Sequence, residues 1–165
     1  MAAQEYPTLN DYAPSWADIQ TTFTVDGGSA LDMIDYKGIK WSSSVEVGTQ
    51  RGASGGRIMK RTTGAKTDEA SATLYRSGLR KLIRALMAKG TTRGNQVAIG
   101  TVAFDILIQH SPPGDPEIYV EKLKGCRLLK IDRTMTEGTD AEEVEVDLNP
   151  IEVVQIIDGK EVVLL

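Results

Sequence analysis

Apolar and polar residues alternate along much of this chain. From Ile19 to Val25, residues Ile19, Thr21, Phe23 and Val25 interleave with Gln20, Thr22 and Thr24, the period of a half-buried strand, and Asp26-Gly27-Gly28 supplies a turn. A second extended stretch runs from Leu31 to Val47, broken near Lys37-Gly38, with Ile39, Trp41, Val45 and Val47 on one face. Arg57 to Thr63 and Asp68 to Tyr75 read as further strands, the latter presenting Ala70, Ala72 and Leu74 on one side. The period then changes. Leu79, Leu82, Ile83, Leu86 and Met87 make an apolar stripe at helical spacing, with Ser77 as the expected N-cap and Gly90 as the stop. Strand patterns return over Gln96 to Gln109, Glu117 to Lys124, Cys126 to Thr134, Glu142 to Leu148 and Ile151 to Leu165, the last with a turn at Asp158-Gly159.

Strands in runs, with one helix between them, predict antiparallel pairing and not a parallel α/β sheet. The expected fold is a single mainly β domain over residues 1–165: two packed antiparallel sheets forming a sandwich or partly closed barrel, with the helix on its flank. Residues 1–15, with Pro7 and Pro14 and few aliphatics, read as an N-terminal arm. Gly48 to Gly56, GTQRGASGG, reads as a mobile loop inside a basic stretch, 48–66, that leads into a hairpin. Ser111 to Pro116 and Thr134 to Ala141 are expected to be loops. The N-terminus shows no signal-peptide pattern, and no apolar run reaches the roughly 18 residues that would suggest a membrane anchor.

The formal net charge of −4 conceals a segregation. Arg51, Arg57, Lys60, Arg61 and Lys66 lie in a stretch without a carboxylate, as do Arg76, Arg80, Lys81, Arg84, Lys89 and Arg93. From Glu137 to Glu161 the chain is acidic apart from Lys160. Such asymmetry suits a bound anion or two complementary faces that meet in an oligomer. Arg76 and Arg80 also fall near the positive end of the helix dipole, so an acidic neighbour from elsewhere in the chain is expected there.

Motifs for chemistry are missing. His110 is the single histidine, sits before Ser111-Pro112-Pro113, and has no GxSxG nucleophile motif to serve. Cys126 is the single cysteine, expected as a small buried apolar residue, and neither residue belongs to a recognised zinc spacing. Gly138 to Asp147 is acidic without the calcium-loop ladder, and Gly64-Ala65-Lys66-Thr67 is not a phosphate-binding loop. No catalytic, metal or cofactor site is expected. Nucleic-acid binding through the basic middle is a rival, but no aromatic residue interleaves with Arg51 to Lys66, and the sequence pI is about 5.1.

The order of elements is itself informative: an alternating strand, YKGIKWSSSVEVGTQRGASGGRIMKR, the helix SGLRKLIRALMAKG, then EIYVEKLKGCRLLKI and EEVEVDLNPIEVVQIIDGKEVVLL. Over roughly residues 18–165 this order resembles the tail tube proteins of long-tailed bacteriophages, especially the small tubes of contractile tails, and more distantly the type VI secretion tube protein. The resemblance implies a non-enzymatic virion component, assembled in the host cytoplasm, whose hexameric rings stack into a conduit for DNA ejection. It implies as partners other copies of the chain, a tape-measure protein, baseplate or tail-tip and terminator proteins, and a sheath where the tail contracts. DNA would pass through the lumen without specific binding. By the same resemblance 48–66 would reach a neighbouring subunit, with Arg51, Arg57, Lys60, Arg61 and Lys66 meeting Glu142, Glu143 and Glu145 of another copy. Arg80, Lys81 and Arg84 are the candidate sheath contacts. The rival classes are a DNA-binding or head-completion virion protein, a secretion-system or tailocin tube, and a small hydrolase with an unrecognised site.

Overall fold

The computed structural model describes residues 19–26, 28, 30–53, 56, 58–111, 118–134 and 141–163. The expected N-terminal arm lies outside them, as do Arg57 and most of the two loops expected at 111–116 and 134–141. Eleven strands and one helix follow in order: β1 (Ile19–Val25), β2 (Ala30–Asp32), β3 (Tyr36–Arg51), β4 (Ile58–Tyr75), α1 (Arg76–Met87), β5 (Thr91–Arg93), β6 (Gln96–Ala98), β7 (Phe104–His110), β8 (Tyr119–Arg133), β9 (Glu143–Asn149), β10 (Glu152–Ile157) and β11 (Lys160–Val163).

The strands form two antiparallel layers that share β8. In the first, β2, β1, β7, the first half of β8, β10 and β11 are neighbours; in the second, the last half of β8, β9, β4 and β3. The core fills the space between. Phe23 and Val25 of β1, Phe104, Ile106 and Ile108 of β7 and Leu123 of β8 meet Ala70, Ala72 and Leu74 of β4 and Val144, Val146 and Leu148 of β9. Phe23 and Phe104 stack with centroids 5.9 Å apart, and the buried hydroxyls of Thr21 and Tyr36 share a 2.6 Å hydrogen bond, so neither is left unsatisfied. Cys126 is fully buried, and desolvation pushes its thiol up to about 12; it packs as a small apolar side chain.

Helix α1 presses Leu79, Leu82 and Leu86 into this core, whereas Ile83 is half-buried and Met87 is 48% exposed. The helix starts two residues earlier than the sequence suggests. Tyr75 occupies the N-cap with no side-chain cap bond, and Ala88 ends the helix ahead of Gly90. Strand β4 feeds directly into the helix, so the ladder to β9, which continues to Tyr75, sets the boundary instead of Ser77.

Three expectations need correction. The two strands read at 57–63 and 68–75 are one strand, because β3 pairs with β4 along its whole length. The strands read at 117–124 and 126–134 are likewise one, β8, continuous through Gly125. The pattern at 96–109 splits: β6 turns back on β5 as a separate exposed ribbon, and β7 begins at Phe104. The expected packed antiparallel sheets with one helix are present, and they do not close into a full barrel, since β2 and β3 stand at opposite ends of the pairing order. The turn at 158–159 is as read, with Asp158 and Gly159 at φ 50° and 73°.

Truncating a buried knob of the helix tests this packing. Leu82→Ala is expected to lower unfolding free energy by about 2–5 kcal/mol in a denaturant titration, against less than about 1 kcal/mol for Met87→Ala on the same helix.

Candidate assembly interface

The second layer has two unpaired edges. Among the described residues no strand pairs with the outer side of β3, and β7 leaves β8 after the Phe104–Cys126 pair, freeing the same side of Arg127–Arg133. Among the described residues, main-chain donors and acceptors along Gly38–Arg51 and Arg127–Arg133 thus face no further strand on these sides. The four strands alternate in direction from β8 through β9 and β4 to β3, so β3 of one copy laid beside β8 of another is again an antiparallel pair.

Beyond Val45 and Lys66, β3 and β4 leave the body as a two-stranded arm on which residues 46–51 and 60–65 are all exposed. Of the segment 48–56 expected as a loop, Gly48–Arg51 is ladder, with Gly48 opposite Thr62 and Arg51 opposite Ile58. Here the glycines serve close approach. Glu46 faces the bulged pair Gly64-Ala65, and a Cβ on Gly64 would lie 2.9 Å from the Glu46 carbonyl oxygen. Directly opposed residues share a face, so Val47, Thr49, Arg51, Thr63 and Arg61 continue the face that Ile39 and Trp41 turn toward the core, and Gln50 and Lys60 lie on the reverse. Val47 and Ile58 are 59% and 52% exposed, apolar side chains with nothing over them. Lys66 does not belong to this group. It stands at the root of the arm, 3.3 Å from the carboxylate of Asp68, whose second oxygen is buried without a hydrogen bond.

Two of the three carboxylates expected to receive these cations are engaged within the chain. Glu142 accepts from Arg76 at 2.5 Å and Glu143 from Lys37 at 2.7 Å. The first pair supplies the acidic neighbour expected at the helix N-terminus, where the first turn has no acid of its own. Glu145 is exposed on the outer face of the second layer, in register with Thr73 and Asp132. That face is hydroxyl-rich and acidic, carrying Ser42, Ser71, Thr73, Glu69, Asp132, Glu145 and Asp147 with Lys40 and Lys130. Its ion pair with Asp132 holds the Lys130 ammonium above the usual lysine range, with Asp147 and Glu145 adding to the effect.

Arg80, Lys81 and Arg84 are all exposed on α1. Lys81 is tied at 2.5 Å to Asp35, whose carboxyl the same bond lowers. A groove of about 430 Å³ runs along this side, between Lys81, Arg84 and Lys89 and the apolar Val25 and Leu31. A larger one of about 760 Å³ lies on the other side, floored by Leu79, Ile83, Met87 and Val144 and rimmed by Arg76, Arg80, Arg84 and Arg133.

The residues with intrinsic reactivity are scattered. His110 ends β7 opposite Ile19 and Tyr119, Cys126 is buried, and the described residues hold no group of three or more metal-ligating side chains. Glu121, opposite Ile108 and Gln155, has its carboxyl raised by desolvation, with His110 opposing the shift.

No family model matches the chain, and no curated protein matches it. Solved structures do. A chain of the extended sheath–tube complex of the PVC extracellular contractile injection system covers 93% of this chain and 95% of its own length at 13% identity, with a TM-score of 0.60. The SPP1 tail tube covers 89% and 82% at 16% identity and 0.61, and the tube-terminating cap of the anti-feeding prophage covers 94% and 98% at 12% and 0.60. This chain has the tail tube fold. The tube fold was legible in the order of elements; the unpaired edges were not, because they follow from where β7 leaves β8.

A carboxyl raised in the folded state favours folding while protonated, and that contribution is lost as pH rises through the folded value. Glu121→Gln is therefore expected to raise Tm at pH 7, with the gain vanishing below the ordinary glutamate value of 4.5. Thermal melts between pH 3.5 and 7.5 check this.

Proposed function

We propose that this chain is a structural, non-enzymatic tube subunit of a phage-like tail, and that β3 of each copy pairs with the last half of β8 in the next. The observation that carries the proposal is the second layer's pair of free, direction-matched edges. Such a contact is heterologous, so it repeats until a ring closes. Six copies would join their second layers around a lumen, with the acidic, hydroxyl-rich face turned inward. That lining repels phosphate, which lets DNA pass without being gripped.

Stacking falls to the arm. Among the described residues Val47 and Ile58 have no cover and Arg51 and Arg61 no carboxylate partner, so they gain burial and ion pairs when another copy covers them. With Glu142 and Glu143 held internally and Glu145 on the face turned to the lumen, the arm's carboxylate partners lie elsewhere on the next copy. The groove beside Lys81, Arg84 and Lys89 is the surface we assign to a sheath in a contractile tail. Tape-measure, baseplate and terminator proteins complete the proposed partners, and the finished location is the virion tail after assembly in the host cytoplasm. Among the described residues no helix is long and apolar enough to cross a membrane.

Negative-stain microscopy over a concentration series tests the reading. Rings or hollow tubes are expected. Lys60→Glu with Arg61→Glu should leave rings intact and reduce tube length at least about tenfold, the loss of two or more charge-assisted contacts per subunit. A persistent monomer that binds duplex DNA in a salt-dependent manner would transfer the case to a DNA-binding virion protein.

A further inference from the structure

Ile34 is 80% exposed, more than any other large apolar side chain among the described residues. It stands in the short connection from β2 to β3, and its neighbours are fixed. Met33 is buried and its N–H donates to the Thr21 carbonyl at 2.9 Å, while the Asp35 carbonyl accepts from the Tyr75 N–H at 3.1 Å. With the main chain held on both sides, the exposure of Ile34 is imposed by the fold. Two cations near it are already neutralised, Lys37 by Glu143 and Lys81 by Asp35. Asp32 is exposed, accepts from the Thr22 hydroxyl at 3.2 Å, and makes no ion pair among the described residues. The connection therefore presents an apolar knob beside an unpaired carboxylate.

The groove of about 760 Å³ beside Arg133 has the complementary character. Arg80, Arg84 and Arg133 on its rim are exposed and make no ion pair among the described residues, Glu142 is taken by Arg76, and Met87 on its floor is 48% exposed. Position relates the two features. One row of cross-strand partners, Arg133, Val144, Leu74 and Tyr36, crosses the whole second layer. The groove adjoins the Arg133 end of that row, and Ile34 lies two residues before Tyr36 at the other end. Strand β8 leaves the row toward Thr134, and β3 enters it from Ile34, so groove and knob project past the same end of the sheet. A copy added with its β3 beside β8 continues the row at an interstrand spacing of about 4.8 Å and carries its Ile34 roughly 7 Å past Arg133, alongside the groove.

Resting on the β3–β8 pairing proposed above, we infer that Ile34 of one copy seats on Ile83 and Met87 in the arginine-rimmed groove of the next, with Asp32 facing the guanidinium groups of Arg80 and Arg133. The contact does what the main-chain ladder cannot. A polar, exposed edge specifies register weakly, whereas a knob that fits one groove fixes the register of the joint and rejects a strand that lacks it.

Thiol crosslinking of the full chain tests this, because Cys126 is fully buried and does not compete. Ile34→Cys and Met87→Cys proteins are made separately, mixed, assembled, treated with a short bismaleimide and mapped by mass spectrometry. Both positions are exposed, so both variants are expected to melt with the unsubstituted chain. A crosslink joining position 34 of one copy to position 87 of another is expected. Rings or tubes without that crosslink, or with position 34 joined to position 34, overturn the knob and leave the ring pairing standing. Adding Asp32→Arg to the first protein should cut the yield about tenfold, and adding Arg80→Glu with Arg133→Glu to the second should restore it; an unchanged yield also overturns the contact. Absence of rings and tubes from the unsubstituted chain instead removes the ring pairing, and the knob with it.

Discussion

A strand that serves two sheets must leave the plane of the first before it can pair in the second, and β8 does so at Gly125. The residue has φ 61°, its N–H is held at 2.8 Å by the Asp105 carboxylate, and a side chain there would collide with Ile151. A left-handed backbone without a Cβ is the condition that combination imposes. Before the bend, Leu123 joins the core between β7 and β10; after it, Leu128 and Ile131 face inward beside β9. Because β7 does not follow the turn, Arg127–Arg133 is left with one side unpaired. The interior is thereby sealed by the same turn that leaves the second layer open.

The rest of the architecture is compatible with that opening. Even numbers of antiparallel strands let a layer add to a copy of itself without reversing direction, and the second layer has four. Its other edge, β3, is sixteen residues long, several times the short edge strands that proteins use to discourage pairing. Proline is absent from it, and its lysines stand at the body end, Lys37 already bound to Glu143. An edge so little defended is a hazard in a monomer and an asset in a subunit.

How much of this the sequence discloses depends on the range of each interaction. Period-two alternation fixes β1, β9 and the core face of β4, and period 3.6 fixes α1, because those signals lie within a few residues. The long ladders were underestimated. Thr62 to Thr67 is polar and contains Gly64, so its local pattern reads as a break between strands, yet β3 pairs with it on both sides of the bulge, at Thr62, Thr63, Lys66 and Thr67. Gly125 misled in the same way, reading as a terminator where it is a bend. The charge segregation was visible, but which cations remain free was not: Glu142 and Glu143 are as acidic in sequence as Glu145, and only the packing of α1 and β3 against β9 engages them. One local conflict did forecast a distant contact, the cation of Arg76 at the positive end of its own helix.

That conflict also bears on order of assembly. Pairing Arg76 with Glu142 and Lys81 with Asp35 neutralises the parts of α1 nearest the sheets, so folding of one chain satisfies them without help. Among the described residues Arg80, Arg84, Arg133 and the arm's Arg51 and Arg61 have no such partner, and Val47 and Ile58 are exposed. Folding therefore uses up one set of cations and leaves another, displayed at the arm and along the outer helix. Such cations and apolar side chains gain ion pairs and burial when another surface covers them.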